Sequence, residues 1–247
     1  MPDTTPYDDP GADIRHVAET GSTNEDVRRL AQDGAAEGLW VRAGRQTHGR
    51  GRAGRAWSGE ADGNVYASTL VRLRPGDPPP ATLALVAAVA VYDALSAFVG
   101  QGRVQIKWPN DIMAGTAKLC GMLLEGMGDA VIVGIGVNVA VAPDLPDRPT
   151  ACLRDLGAEG CDAEAVTREI AHHFALGVAR WRTYGLASLA RAWMDRAHAP
   201  GTALAVRLPD GSSFSGTFDT LDEQGALVLR LPNGGRTTVH AGDIFLL

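Results

Sequence analysis

The chain has 247 residues, a formal net charge of −6 and 45% apolar residues, enough to bury one large core or a core plus a small second unit. The acidic balance excludes general nucleic-acid binding, which shows a basic excess or stripe. Cys120, Cys152 and Cys161 are odd in number and form no Cys-x-x-Cys pair. That argues against structural disulfides or a zinc site and for a reducing compartment, with the cytoplasm as the default.

Residues 1–13 are acidic and proline-bearing. They read as a disordered tail and lack the charged and apolar regions of a signal peptide. Thr20-Gly21-Ser22-Thr23-Asn24 then opens a helix with Val27, Leu30 and Ala31 on one face and Gly34 as its stop. Plain N-capping accounts for at least one of the Ser22 and Thr23 hydroxyls on this reading. Leu39–Ala43 is a predicted strand, and it leads into Gln46-Thr-His-Gly-Arg-Gly-Arg-Ala-Gly-Arg-Ala-Trp-Ser58.

In that loop Gly49, Gly51 and Gly54 let the backbone approach a ligand. Arg50, Arg52 and Arg55 carry donor forks suited to carboxylate and phosphate oxygens. Trp57 offers a flat face on which a base can stack. The glycines also fit Gly-x-Gly-x-x-Gly, but a turn follows them, and Val71-Arg72-Leu73 stands where an acidic ribose partner belongs. The dinucleotide reading fails on both counts. A disordered Arg/Gly tract would repeat, and this one stands alone. The loop reads as a cover for an anionic, nucleotide-like ligand.

Asn64–Leu73 is a second strand, and a long apolar helix spans about Ala81–Val99. Its wholly apolar run, Leu83–Tyr92, is only ten residues long and reads as core, not as a bilayer span. Strands are predicted at Val104–Trp108, Lys118–Glu125 and Ala130–Val139, the last two joined as a hairpin. Two amphipathic helices, Asp162–Tyr184 and Leu186–Ala197, end at Pro200-Gly201. Short strands with Pro-Asp-Gly, Asp-Glu-Gln-Gly and Asn-Gly-Gly turns follow, the pattern of a small β-barrel. Of the 23 basic residues only Lys107 and Lys118 are lysines, and they fall in one short window. An ammonium acts as a point charge where a planar guanidinium cannot, so that window is the place to look for chemistry.

Ser22-Thr23-Asn24, the loop Gly49–Trp57, Lys107-Trp108-Pro109-Asn110-Asp111, Lys118-Leu119-Cys120-Gly121 and Gly134-Ile135-Gly136-Val137-Asn138 occur in that order, before a small β-rich tail. The combination closely resembles the biotin protein ligases, from about residue 14 to the C-terminus. The resemblance implies an α+β fold: a mixed β-sheet flanked by helices, related to class II aminoacyl-tRNA synthetases, with an SH3-like C-terminal barrel. It implies a catalytic unit at 14–199 and the barrel at 200–247. Some members carry a further arginine where this chain has Ala53. Regulatory members have an N-terminal helix-turn-helix domain, for which the 21 residues before Ser22 are too few, so the ligase-only form is expected.

The family joins biotin to ATP as biotinyl-5′-AMP, with Mg²⁺ on the pyrophosphate, then passes the biotinyl group to a lysine of a biotin carboxyl carrier domain. By this resemblance Ser22, Thr23, Asn24 and Gln46 bind the ureido head or line its pocket, and Gly121 and Gly136 let backbone pass close to the ligand. Lys118 sits beside the biotin carboxylate and the α-phosphate. Arg50, Gly51 and Arg52 close over the adenylate, and Arg55 faces the triphosphate. Trp57 stacks on adenine, Asn138 bonds the base, and Lys107 and Asn110 shape the nucleotide site. Asp111 orients or deprotonates the incoming amine. Lys118, Arg52 and Asp111 are the expected catalytic residues. No DNA or membrane partner is implied, and monomer or homodimer stays open. Two alternatives are a lipoate or octanoate ligase, whose Arg-Arg-x-Ser-Gly-Gly-Gly segment is absent, and a non-catalytic nucleotide-binding module.

Overall fold

The computed structural model describes residues 12–59, 62–146 and 148–247. Its first sheet contains β1 (Ile14–Thr20), β2 (Trp40–Gln46), β3 (Val65–Arg72), β4 (Gln105–Lys107), β5 (Asp111–Ala114), β6 (Ala117–Met127) and β7 (Ala130–Val137). They lie in the order β1-β2-β3-β7-β6-β5-β4, with β1 parallel to β2 and the other pairs antiparallel. Helix α1 (Thr23–Gln32) covers one face of this mixed sheet; α2 (Leu83–Val99) and α3 (Ala163–Met194) cover the other.

Side-chain alternation along β3 explains the two layers. Val65, Ala67 and Val71 join α2 and α3 in the larger apolar cluster, while Leu70 packs with Val27 and Ala31 of α1 in the smaller one. Ser68 shares the α1 side of the strand with Leu70 and is fully buried there. α2 is apolar on nearly all sides, Asp93 excepted, and it is buried on nearly all of them. The stretch Pro80–Val99 is long and apolar enough to cross a membrane, yet most of it lies inside the protein. Trp181 of α3 donates its indole N–H to Thr82 Oγ1 at 2.8 Å, so the polar atom of a fully buried ring is satisfied.

The predicted helix pair is present: the two helices within α3 meet at Gly185, whose φ of 66° supplies the positive-φ step between them. Asp162 caps its start by accepting from the Ala165 N–H at 2.7 Å. Two strands were not predicted. β1 is the parallel edge partner of β2, and β5 is four residues between the two lysines. The predicted tail 1–13 lies outside the described residues except for Ala12 and Asp13. Asp13 is already tied down, since its carbonyl accepts the Trp40 N–H at 2.9 Å.

The C-terminal strands are β8 (Ala203–Arg207), β9 (Ser213–Leu221), β10 (Leu227–Arg230), β11 (Arg236–Val239) and β12 (Asp243–Leu246). They pair as β11-β10-β9-β8-β12. Among the described residues no β11–β12 pairing closes this sheet, so the expected barrel is an open five-stranded sheet. The start of β12 turns toward the glycine–arginine loop instead, through Gly242 and Asp243. Its inner face, with Leu204, Val206, Leu229 and Ile244, belongs to the same apolar cluster as α2 and α3.

Candidate functional site

A cleft of about 320 Å³ opens between the N-terminus of α1, the glycine–arginine loop, strands β6 and β7, and the start of β12. At one end Gln46 turns its carboxamide oxygen to α1 and accepts the Thr23 N–H at 2.8 Å; Thr23 Oγ1 lies 3.1 Å from the same oxygen. Thr23 Oγ1 is also 2.7 Å from Ser68 Oγ, and Ser68 Oγ donates to Asn24 Oδ1 at 2.6 Å. Asn24 Nδ2 in turn donates to Glu125 at 2.7 Å. Two hydroxyl protons therefore serve three contacts. Ser68 gives its proton to Asn24, and Thr23 shares its own between Gln46 and Ser68, so the remaining lone pair of Thr23 Oγ1 is an acceptor. Ser22 also lines the cleft and holds the N-cap position, but it makes no side-chain cap bond. The capping predicted for Ser22 or Thr23 is absent: Ser22 makes no cap bond, and the Thr23 hydroxyl is drawn into the Gln46–Ser68 network.

At the other end Lys118 Nζ stands 2.6 Å from Asp111 Oδ1, an ion pair angled outside hydrogen-bond geometry. Both side chains are mostly buried. They meet because β5 and β6 pair with a register shift between Ile112 and Met113, which brings Asp111 opposite Gly121 and Lys118 opposite Met113. Asn110 fixes the turn before β5 by donating to the Met122 carbonyl. Burial draws the Lys107 ammonium below the ordinary lysine range; Asp111 partly offsets this, while Lys118 and Arg148 add to it. Lys107 Nζ sits 5.7 Å from the centroid of the Phe245 ring.

The three loop arginines have different partners. Arg50 lies 3.5 Å from Glu25 and 4.0 Å from Glu125. Arg55 holds both oxygens of Asp243, at 2.7 and 2.8 Å. Burial raises Asp243, but the Arg55 hydrogen bond and the charges of Arg55 and Arg52 outweigh it and leave the carboxyl below its ordinary value. Arg52 donates to two uncharged acceptors at 3.4 Å, Asn110 Oδ1 and the Gly242 carbonyl. Burial lowers its pKa, with Asp243 and Asp111 opposing. Gly51 closes the loop on itself, its N–H donating to the Arg55 carbonyl at 2.7 Å.

Trp57 lies on the cleft floor. A Cβ built on Gly136 would stand 2.4 Å from its indole, and one on Gly121 would stand 2.8 Å from it. The group that approaches these glycines in this structure is thus the tryptophan. Its Nε1 is buried without a partner, and Lys118 Nζ is 5.5 Å from the ring centroid. Asn138 is 3% exposed and is not among the cleft residues. It donates to the Lys118 and Ala151 carbonyls, which ties the start of β6 to the segment at Thr150 and Ala151. The other predicted site residues, Ser22 through Lys118, Gly121 and Gly136, line the one cleft.

Sequence reasoning missed Ser68, Glu125 and Asp243. Ser68 sits in a run that reads as plain strand, and Asp243 lies 188 residues from Arg55. The acidic Glu125, three residues before the β6–β7 turn, gave no signal beyond a solvated strand end.

The cleft thus joins a loop-covered end lined by Arg52, Arg55, Lys107 and Lys118 to a neutral hydrogen-bonding end at Thr23 and Gln46. The model of the biotin/lipoate A/B protein ligase family matches residues 18–140, and that of the biotin protein ligase C-terminal domain matches residues 205–247. The biotin–[acetyl-CoA-carboxylase] ligase of Paracoccus denitrificans is 38% identical over 240 residues, covering 93% of this chain and 98% of that protein. The enzyme of the same name from Mycobacterium tuberculosis is 35% identical, covering 92% of this chain and 86% of its own length. Among solved structures, the biotin protein ligase of Aquifex aeolicus in complex with biotin and ATP superposes with a TM-score of 0.81. It is 24% identical and covers 95% of this chain and 98% of its own, which supports the fold. The chain belongs to the biotin/lipoate A/B protein ligase family and, within it, to the biotin protein ligases.

Proposed function

We propose that this ligase activates biotin with ATP as biotinyl-5′-AMP and then passes the biotinyl group to a lysine of a biotin carboxyl carrier domain. The observation that carries this reading is the polarity of the cleft. Neutral amide and hydroxyl groups stand at the Gln46–Thr23 end, and the Lys118–Asp111 pair stands at the other. A ureido head needs acceptors for its N–H groups and a donor for its carbonyl. Thr23 Oγ1 is an acceptor by the proton count, and Ser22 supplies a hydroxyl at the same end. Asn24 is engaged at both ends of its carboxamide, so its role is to position Thr23 and Ser68.

In the first step a carboxylate oxygen of biotin attacks the α-phosphorus. The bond from that phosphorus to the bridging oxygen breaks, and pyrophosphate departs with the electron pair. Two anions must meet, so positioning and charge neutralisation dominate. Lys118 brings a point charge to the meeting atoms, and Arg52, held only by neutral acceptors, turns its fork to the adenylate. Trp57 must rise from Gly121 and Gly136 as the ligand enters, and its ring then covers the base. Asn138 acts through the start of β6, which carries Lys118. Among the described residues no three His, Cys, Asp or Glu side chains cluster to hold a metal. Mg²⁺ would therefore arrive on the nucleotide phosphates.

In the second step the carrier lysine loses a proton and its nitrogen attacks the acyl carbon, expelling AMP. Asp111 is the nearest carboxylate to Lys118 and receives or orients that proton. The catalytic unit spans 14–199, and the C-terminal unit, 200–247, holds the loop through Asp243. Mass spectrometry of a carrier domain incubated with this protein, biotin, ATP and Mg²⁺ tests the whole reading. A single biotinyl increment is expected; an increment with lipoate in place of biotin overturns the substrate assignment.

A further inference from the structure

Gly121, Leu123 and Glu125 point to one face of β6. The first two line the cleft, and the third reaches Asn24 from beyond its lining. The Glu125 carboxylate meets donors from α1 and from the glycine–arginine loop. One oxygen accepts from Asn24 Nδ2 at 2.7 Å; the other faces Arg28 at 3.5 Å and Arg50 at 4.0 Å.

An ionised carboxylate only accepts. Glu125 therefore requires the amide nitrogen of Asn24 to face it and the amide oxygen to face Ser68. Asn24 is buried against the backbone of Gly134, where a Cβ would collide with its carboxamide. The group has no room to swing aside, and the choice is between its two flipped orientations.

Those orientations give different proton counts. With the amide reversed, Asn24 would donate to Ser68, Ser68 to Thr23 and Thr23 to Gln46, and every contact in the chain would hold a proton. In the orientation that Glu125 imposes, Ser68 gives its proton to Asn24. The single Thr23 proton then faces two acceptors, Ser68 Oγ at 2.7 Å and Gln46 Oε1 at 3.1 Å, and one of those contacts is left without a proton. Buried acceptors short of a proton favour a ligand that brings one. We infer that Glu125 is a positioning residue for the neutral head of the ligand: acting through Asn24 and Ser68, it keeps the Thr23–Gln46 end one proton short and so selects a ligand that presents an N–H there. This rests on the ligase reading above, in which a ureido N–H of biotin supplies that proton.

Calorimetry of biotin binding without ATP tests it. Glu125→Gln offers Asn24 either an oxygen or an amide, which opens the reversed order, and biotin affinity should fall about fivefold. Glu125→Ala should weaken binding in the same direction and serves if the glutamine variant fails to fold. In a Ser68→Ala background the chain is already cut, so either change should add less than about twofold. Glu25→Gln is the control for the loop, because Glu25 lies 3.5 Å from Arg50 and 3.6 Å from Arg28 and the change leaves the Asn24–Glu125 bond in place. Its biotin affinity should stay within about twofold of wild type. Unchanged affinity in a folded Glu125→Gln or Glu125→Ala protein overturns the inference. So does a second loss of about fivefold in the Ser68→Ala background, or an equal loss in Glu25→Gln, which would make the arginines the route. Wild-type protein that binds no biotin would bring down the ligase reading itself, a different result from any of these.

Discussion

Lys118 and Asp111 stand on neighbouring strands with Nζ and Oδ1 2.6 Å apart, brought together by the register shift in the β5–β6 ladder. Each is the other's counter-ion, so neither can be removed without leaving a mostly buried charge unbalanced. Such a loss costs on the order of 3–5 kcal/mol in a closed interior and less here, where some solvent reaches the pair. Lys118→Ala should therefore abolish biotin-dependent ATP–pyrophosphate exchange and also lower the unfolding midpoint. Lys118→Arg should keep the fold but only a small fraction of exchange, because a planar fork meets the α-phosphate at the wrong distance. Asp111→Asn should form adenylate yet transfer it slowly. Exchange near wild type in Lys118→Arg would show that the residue supplies only diffuse charge.

How much of the site is legible in the sequence depends on distance along the chain. Lys118 and Asp111 are close neighbours in sequence, and the scarcity of lysine together with the clustering of both lysines in one window marks the place. The glycine–arginine loop announces its ligand class through composition. Ser68 gives no sign, because Val65-Tyr66-Ala67-Ser68-Thr69-Leu70 is buried on both faces and shows no alternation. Its role follows from facing α1, a fact of the sheet and not of the strand. Strand β1 escapes notice for a similar reason: it is a polar edge held by parallel pairing to β2, from Ile14 against Trp40 to Thr20 against Gln46. The Arg55–Asp243 contact depends on where the C-terminal sheet docks, and the open edge of that sheet depends on the same docking.

Ser68→Ala tests the proton count at the neutral end of the cleft. Without Ser68 the Thr23 proton goes to Gln46 alone, and Asn24 Oδ1 loses its donor. The lost hydrogen bonds are worth about 1 kcal/mol, or roughly fivefold in binding. Calorimetry should show weaker biotin binding with the KM for ATP unchanged, and Ser68→Thr should recover part of the loss. Equal losses for biotin and ATP would mean that Ser68 only supports the sheet.

Glu37 anchors α3 to the first sheet: Arg182 donates to both of its oxygens at 2.7 Å, and the Arg72 N–H donates to it at 2.9 Å. Burial raises the Glu37 pKa, but the Arg182 and Arg72 hydrogen bonds and the charges of Arg182 and Arg74 pull it below the ordinary 4.5. A depressed carboxyl contributes stability above its unfolded pKa and loses it as pH falls through the folded one. The unfolding midpoint of Glu37→Gln should thus lie below wild type at pH 7, and the gap should narrow below about pH 4.5. A gap independent of pH would assign the loss to packing.

Arg52 is the loop arginine poised to leave its present partners most readily, since both are neutral acceptors at 3.4 Å, while Arg50 and Arg55 rest on carboxylates. Biotinyl-AMP is a mixed anhydride that acylates any amine it meets, so the closed loop must hold it until the carrier arrives. Three glycines make that loop costly to order, and contacts from Arg52 to the adenylate must offset the cost. Arg50 and Arg55 would have to abandon ion pairs to do the same. Arg52→Gly should therefore still form adenylate but release it, with a faster adenylate off-rate and biotin appearing on an added inert protein such as albumin. Lys118 pairs with Asp111 and touches neither Arg52 acceptor, so the first step should survive the change. A variant that cannot form adenylate, or one that retains it as tightly as wild type, would put the gate at another residue of the loop.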